Sequence, residues 1–183
     1  MFRSLSTLLA IATLAGAAVT KPFTLTSPDV HQGKTIPDAA VFNGMGCTGQ
    51  NVSPTLAWSN APAGTKSFAV TVYDPDAPTG SGWWHWVVYN IPATTTSLPA
   101  GAGDSTKHLL PAGALQGNTD FGSAGYGGPC PPKGSKPHHY HFTVFALKVE
   151  KLELPANATA AYVGYNLNAN AIAKAELTAV YKR

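Results

Sequence analysis

Alternating apolar and polar positions recur along the chain and predict strands more often than helices. The alternation is clearest at 67–73, where Phe68, Val70 and Val72 share one face of an extended segment. Other runs are rich in aromatic and β-branched residues and are predicted as strands: 23–26, 55–58, 84–91, 139–149 and 176–181.

A helical pattern occurs near the C-terminus. Residues 160–174 contain several alanines together with Tyr162, Tyr165 and Ile172, and they predict one or two short helices. The chain also contains 18 glycines and 15 prolines, which is typical of short strands joined by ordered loops. We therefore predict a mainly β domain, an antiparallel β-sandwich of Greek-key type with one or two short C-terminal helices.

The N-terminal segment has the order of a signal peptide. Arg3 precedes an uncharged apolar run from Leu5 to Ala18 that ends in small residues. The run is shorter than the roughly 20 apolar residues that a membrane span needs. We predict that residues 1–20 are removed on export, that 21–183 form a single domain, and that the mature protein is periplasmic or secreted.

The net charge bears on the kind of partner, and the cysteine content bears on the presence of a disulfide. Without Arg3, 11 basic residues face 9 acidic ones, a net charge of +2 that does not favour a nucleic-acid partner. Export would carry the two cysteines, Cys47 and Cys130, into an oxidising compartment. We therefore predict that they form a disulfide.

Two motifs around the central predicted strands carry candidate chemistry. Asp74-Pro-Asp-Ala-Pro78 follows a core strand, and by itself it is also typical of a tight turn. Two carboxylates this close would raise each other's proton affinity if both pointed inward. His85 lies in an aromatic strand, and alternation predicts that it shares a face with Val87 and Tyr89.

A third motif combines glycines, prolines and histidines. The glycines at 125–128 can let successive backbone N–H groups form an anion-binding nest. In the strand that follows, His138 and Tyr140 face one way, whereas His139 and His141 face the other. This alternation divides the histidine cluster, so we predict no metal site and no cofactor.

Taken in chain order, these segments resemble the phosphatidylethanolamine-binding protein family, also called Raf-kinase-inhibitor-like proteins. The segments that carry the resemblance are Pro54-x-Leu56-x-Trp58, Asp74-Pro-Asp-Ala-Pro78, His85 in its aromatic strand, Gly128-Pro-Cys-Pro-Pro132 and His138-x-Tyr140. With its export signal and two cysteines, the chain looks most like the bacterial-type exported branch of that family.

The resemblance implies a sandwich of two antiparallel sheets with a small anion-binding pocket at one end. The ligand-binding residues that it implies are Asp74, His85, His138 and Tyr140, with Asp76 supporting the loop and Pro132 in the wall. We expect Asp74 to keep an imidazole oriented and protonated. The two imidazoles and the Tyr140 hydroxyl would then donate hydrogen bonds to phosphate oxygens.

The resemblance thus implies a binding protein for a phosphate-like group on a lipid, a small molecule or a phosphorylated partner, and inhibition of a kinase or protease. The alternative is a hydrolase or phosphoryl-transfer enzyme that uses the Asp/His pair. The absence of a Gly-x-Ser-x-Gly elbow and of a His-Glu-x-x-His motif favours binding over catalysis. The oligomeric state stays open, a homodimer included.

Overall fold

The computed structural model describes residues 21–183, and the signal peptide predicted at 1–20 lies outside them. The strands and the α-helix of the described chain are, in order, β1 (Thr24–Thr26), β2 (Asn43–Gly44), β3 (Cys47–Thr48), β4 (Leu56–Ser59), β5 (Ser67–Asp74), β6 (Trp83–Pro92), β7 (Ser97–Leu98), β8 (Leu115–Gln116), β9 (His138–Leu147), α1 (Ala160–Asn170) and β10 (Ala171–Tyr181). Short 3₁₀ turns lie at Asp38–Ala40 and Ser105–Lys107. No helix among residues 21–183 has the length and apolarity needed to cross a membrane.

The strands form a mainly β fold, as the sequence predicts. A five-stranded sheet has the order β10-β9-β5-β6-β8, and a three-stranded sheet has the order β1-β4-β7. The strand pairings within both sheets are antiparallel. The short β2–β3 hairpin stands apart from the two sheets.

The main core fills the space between the two sheets. Side chains from the five-stranded sheet, such as Val70, Trp86 and Phe142, pack against Leu56 and Leu98 of the three-stranded sheet. All five are fully or almost fully removed from water. Each large apolar side chain buried in this way contributes about 1.5–3 kcal/mol to folding.

The other face of the five-stranded sheet packs against α1. Val163 and Leu167 of the helix contact Val87, Tyr89 and Phe145 in a second core. The helix therefore packs its buried aliphatic residues against the sheet, although its outer face is only weakly polar. Its two exposed tyrosines point to solvent.

The predicted helix was too long at its C-terminal end. It begins at Ala160, capped by the Thr159 hydroxyl, but ends at Asn170 rather than Lys174. From Ala171 onward the chain pairs with β9, with Lys174 opposite Phe145 and its ammonium group 4.9 Å from that ring. Pairing with a neighbouring strand overrides the weak helix preference of this segment.

The predicted disulfide between Cys47 and Cys130 is present, with the cysteines 83 positions apart in sequence. It joins β3 to the Pro-rich segment that precedes β9. Closing a loop of this length constrains the unfolded chain, by about 4.5 kcal/mol at most in the chain-entropy treatment.

We predict that the double variant Cys47→Ala/Cys130→Ala loses up to about 4 kcal/mol of unfolding free energy in chemical denaturation. Wild-type protein unfolded in the presence of a reductant should lose a similar amount, which controls for effects of the substituted side chains. Intact mass should rise by two hydrogens on reduction. Two thiols that react with an alkylating agent before reduction would contradict the prediction.

Candidate functional site

A cavity of about 200 Å³ opens at one end of the five-stranded sheet. Antiparallel pairing places the end of β5 next to the beginnings of β6 and β9, so motifs distant in sequence meet there. The residues that line the cavity come from three loops and these strand ends: Met45, Asp74, Ala77, Pro78, Thr79, Trp83, His85, Phe121, Cys130, Pro131, Pro132, His138 and Tyr140. The structure therefore brings together five of the six predicted ligand residues, and Asp76 is the exception.

Asp74 and His138 form a buried pair at the base of the cavity. Asp74 is the last residue of β5 and His138 the first of β9, and both side chains are almost fully buried. The His138 Nδ1 lies 2.7 Å from Asp74 Oδ2. Because a carboxylate oxygen accepts, Nδ1 carries the hydrogen, and this bond fixes the orientation of the ring.

Asp76 points away from the cavity. Its backbone N–H donates to Asp74 Oδ1 at 2.8 Å, which closes the turn after β5. Its carboxylate accepts from the backbone N–H and the Nδ1 of His139, both at 2.7 Å. Partial burial raises the pKa of Asp76, but these hydrogen bonds outweigh it and leave that pKa below its usual value. The two aspartates thus do not share one site.

His85 faces the cavity because of a β-bulge. Tyr73 pairs with Trp84 and Val72 with Trp86, which leaves His85 without a partner on β5. The bulge turns His85 towards the main core side, where its ring lies 5.1 Å from that of Tyr140. Val87 and Tyr89 pack on the opposite, helix-covered face. The predicted shared face of His85, Val87 and Tyr89 is therefore wrong, because strict alternation does not hold through a bulge.

His85 is neutral rather than a cation at neutral pH. Burial lowers its pKa to about 4, although the Gly127 carbonyl and the charge of Asp74 partly oppose this effect. Its Nδ1 lies 2.6 Å from the Gly127 carbonyl oxygen, so Nδ1 carries the hydrogen and Nε2 holds a lone pair. The expectation that both imidazoles donate as cations is therefore wrong for His85.

The Tyr140 hydroxyl is a buried donor without a partner. The residue is only 1% exposed, and its oxygen is one of four buried side-chain polar atoms without a hydrogen-bond partner among residues 21–183. Burial, the charge of Asp74 and a contact with its carboxylate that is longer than an ordinary hydrogen bond raise the pKa of Tyr140, so the hydroxyl keeps its proton. An unsatisfied buried hydroxyl costs free energy unless a ligand bonds to it.

The glycine segment leads into the wall residues Cys130, Pro131 and Pro132, but it contributes no lining residue and does not form an anion nest. The Gly127 N–H donates to the His85 carbonyl, and the Gly128 N–H donates to the Asn51 side chain. Gly128 also packs so closely on Ala40 that a Cβ would lie 2.1 Å from its carbonyl oxygen. These N–H groups are already used within the protein, so the predicted nest is wrong.

The mouth of the cavity includes residues that the sequence reasoning missed. Met45 lies at the tip of the β2–β3 hairpin and is 66% exposed. The disulfide attaches this hairpin to the cavity wall formed by Cys130, Pro131 and Pro132. The Arg183 guanidinium donates to the carbonyls of Pro131 and Met45 and so joins wall and hairpin. Phe121 and Trp83 complete an aromatic side. The cysteine pairing was the one signal that could have placed Met45 near the site.

The exposed histidines of β9 serve other contacts. His139 binds Asp76, and His141 Nδ1 lies 2.8 Å from Glu176 Oε1 on β10. Partial burial raises the pKa of Glu176, but hydrogen bonds from His141 and two threonines leave it lowered. Within residues 21–183, no group of three or more His, Cys, Asp or Glu side chains is arranged to hold a metal ion.

Comparison with known proteins identifies the family. The sequence model of the family described as phosphatidylethanolamine-binding protein matches residues 26–182. The chain belongs to this family. It is 59% identical over 177 residues to the UPF0098 protein YbcL of Escherichia coli, covering 97% of this chain and 96% of YbcL. It is also 53% identical over 157 residues to YbhB of the same organism, covering 86% of this chain and 98% of YbhB.

Solved structures of the phosphatidylethanolamine-binding protein family have the same fold. The crystal structure of E. coli YbcL, described as a new member of the mammalian family, superposes with a TM-score of 0.86 at 60% identity and covers 88% of this chain and 98% of that one. CT736 of Chlamydia trachomatis, a homologue of these proteins, gives 0.72 at 32% identity, with 88% and 97% covered.

We predict that His85 makes the stability of the protein depend on pH. Its pKa is about 4 in the folded protein and 6.5 when solvated, so the unfolded chain binds more protons between these values. The unfolding free energy is highest above about pH 6.5 and falls as pH drops towards 4, by about 3 kcal/mol from this residue.

Denaturant unfolding across this pH range measures the effect, and His85→Gln should remove that part of the slope. Nitrogen NMR of the folded protein gives an independent check, since the His85 ring should keep its neutral-form signals down to about pH 5. A His85 ring that titrates near its solvated value would show the prediction to be wrong.

Proposed function

We propose that this protein is a binding protein whose cavity takes a small anionic, phosphate-like group carried by a small molecule or a partner. Family membership supports a binding role. The observation that carries the proposal is the Tyr140 hydroxyl, a buried donor on a residue that lines the cavity, with no partner at hydrogen-bond distance in the described chain. A phosphate oxygen would give it the hydrogen bond that the protein does not.

Two further features support a ligand in which the anionic group is attached to a larger molecule. The cavity holds about 200 Å³, enough for a head group but not for a long chain. Met45, Pro78 and Pro132 around its mouth are exposed and apolar, which suits contact with the rest of a ligand or with a protein partner. Inhibition of a kinase or protease would follow if such a partner carried the group.

We favour binding over hydrolysis or phosphoryl transfer. An enzyme of either kind would need an activated nucleophile or a positioned base. Of the candidates at this cavity, Cys130 is in a disulfide and the Thr79 hydroxyl donates to the Gly82 carbonyl. In the part of the chain that the structure describes, no hydrogen bond joins a serine, threonine or cysteine to His85 or His138.

We also propose that the protein acts outside the cytoplasm. The signal-peptide pattern at residues 1–20 and the Cys47–Cys130 disulfide support export to an oxidising compartment. N-terminal sequencing of exported protein tests this proposal: the mature chain should begin between Ala18 and Phe23. An intact Met1 on most of the secreted protein would contradict it.

We predict that Tyr140→Phe weakens binding of phenyl phosphate about fivefold, the equivalent of about 1 kcal/mol, as measured by calorimetry. The same variant should keep or raise the unfolding free energy, because it removes a hydroxyl that has no partner in the free protein. A purely structural tyrosine would give the reverse pattern, a less stable protein with unchanged affinity.

His138→Ala should weaken binding further, about ten- to a hundredfold, because it removes the imidazole that lines the base of the cavity beside Asp74. It also leaves the buried Asp74 carboxylate without its partner, so its folded state is checked by circular dichroism. The matched control is His141→Ala on the solvent-facing side of the same strand, which should bind normally. His139→Ala should have only a small effect, acting through Asp76. Equal losses in His138→Ala and His141→Ala would contradict the proposed site.

A further inference from the structure

The polar groups of the cavity differ in their ability to donate and accept hydrogen. Tyr140 offers an O–H with no protein partner. The Nδ1 hydrogen of His85 is committed to the Gly127 carbonyl, and its Nε2 has no hydrogen-bond partner within residues 21–183. A neutral ring bonded in this way presents an acceptor at Nε2. The cavity therefore combines an available donor with an available acceptor.

These two groups belong to side chains that pack against each other. The rings of His85 and Tyr140 lie edge to face, with their centres 5.1 Å apart. Both oxygens of Asp74 nearby are already occupied, by the Asp76 N–H and by His138. An anion without a proton would place one of its oxygens against the His85 lone pair and near the Asp74 charge, which is repulsive.

We propose that the cavity selects a phosphate monoester that retains one proton, and that it rejects anions of the same shape that have no proton to donate. The proposal rests on the proposed anion-binding function. In this complex the P–OH donates to His85 Nε2, and another phosphate oxygen accepts from the Tyr140 hydroxyl. Sulfate esters and phosphodiesters lack the P–OH, so they leave the His85 acceptor unpaired. A site built to hydrogen-bond a ligand group discriminates strongly against analogues that lack it.

The surroundings of His85 keep its ring in this form. The titratable groups near it are Asp74 on β5, His138 and Tyr140 on β9, and Asp120 in the loop after β8. Asp120 is held by the Trp84 N–H, and the Phe121 ring covers His85 edge-on. Burial lowers the pKa of His85 more than the charges of the two carboxylates raise it. Protonating His85 in order to bind an anion that has no proton would therefore cost free energy.

The test compares phenyl phosphate with phenyl sulfate by calorimetry at about pH 5.5. A phosphate monoester loses its second proton near pH 6, so at this pH both ligands carry mainly one negative charge and differ chiefly in the P–OH. We expect phenyl phosphate to bind at least about tenfold more tightly. Raising the pH to about 7.5 should weaken phenyl phosphate about twentyfold as its proton leaves. Phenyl sulfate reports any change in the protein itself over the same pH range.

Variants and a second ligand pair sharpen the test. In His85→Gln the amide can donate as well as accept, so the ratio of the two affinities should fall towards one. His141→Ala should keep the wild-type ratio. Because both ligands are measured on the same protein sample, partial unfolding does not alter this ratio. Phosphoethanolamine, a monoester, should bind more tightly than glycerophosphoethanolamine, the diester found in lipid head groups.

The outcomes separate this inference from the proposed function. Equal affinity for phenyl phosphate and phenyl sulfate at about pH 5.5 would overturn the inference and leave the anion-binding proposal standing. An unchanged ratio in His85→Gln, or a proton on His85 Nε2 in nitrogen NMR of the free protein, would overturn it too. If neither ligand binds, the proposed function itself fails.

Discussion

The hydrogen bond between Asp74 and His138 joins the end of β5 to the beginning of β9, and both side chains are almost fully buried. Two buried polar groups of this kind are tolerated only as a pair, because removing either leaves the other uncompensated. The rest of the site is arranged around them. The Asp76 N–H holds the second oxygen of Asp74, and the Tyr140 hydroxyl lies beside the same charge.

The cavity wall is held in place by several independent contacts rather than by one. The disulfide attaches the β2–β3 hairpin, Arg183 bonds to the carbonyls of Pro131 and Met45, and Gly128 packs against Ala40. A wall fixed in this way needs little rearrangement to receive a ligand, and preorganisation of this kind reduces the cost of binding. The α1 helix packs on the opposite side of the five-stranded sheet from the main core and contributes no lining residue to the cavity.

Chemically, the residues that line the cavity include both a hydrogen-bond donor and a hydrogen-bond acceptor. The Tyr140 hydroxyl has no partner at hydrogen-bond distance in the described chain, whereas the neutral His85 holds a lone pair at Nε2. A protein of the same fold in which the His85 ring were exposed to water would bind different ligands, because only burial keeps this ring neutral. If the proposed selectivity holds, it depends on how completely Phe121 and Gly127 shield one imidazole from water.

The sequence by itself determined the strand pattern, the mainly β class, the cysteine pair and five of the thirteen residues that line the cavity. Alternation carries the strand pattern locally, whereas the resemblance to a known family indicated Asp74, His138 and Tyr140 without coordinates. Only the tertiary structure decided the bulge that turns His85 inward, the outward direction of Asp76, the use of the glycine N–H groups and the early end of α1. Each of these depends on partners distant in the chain: on the register of β5 against β6, on His139, on Asn51 and on β9. Burial, which makes His85 neutral, is likewise a property of the packed fold and not of any local segment.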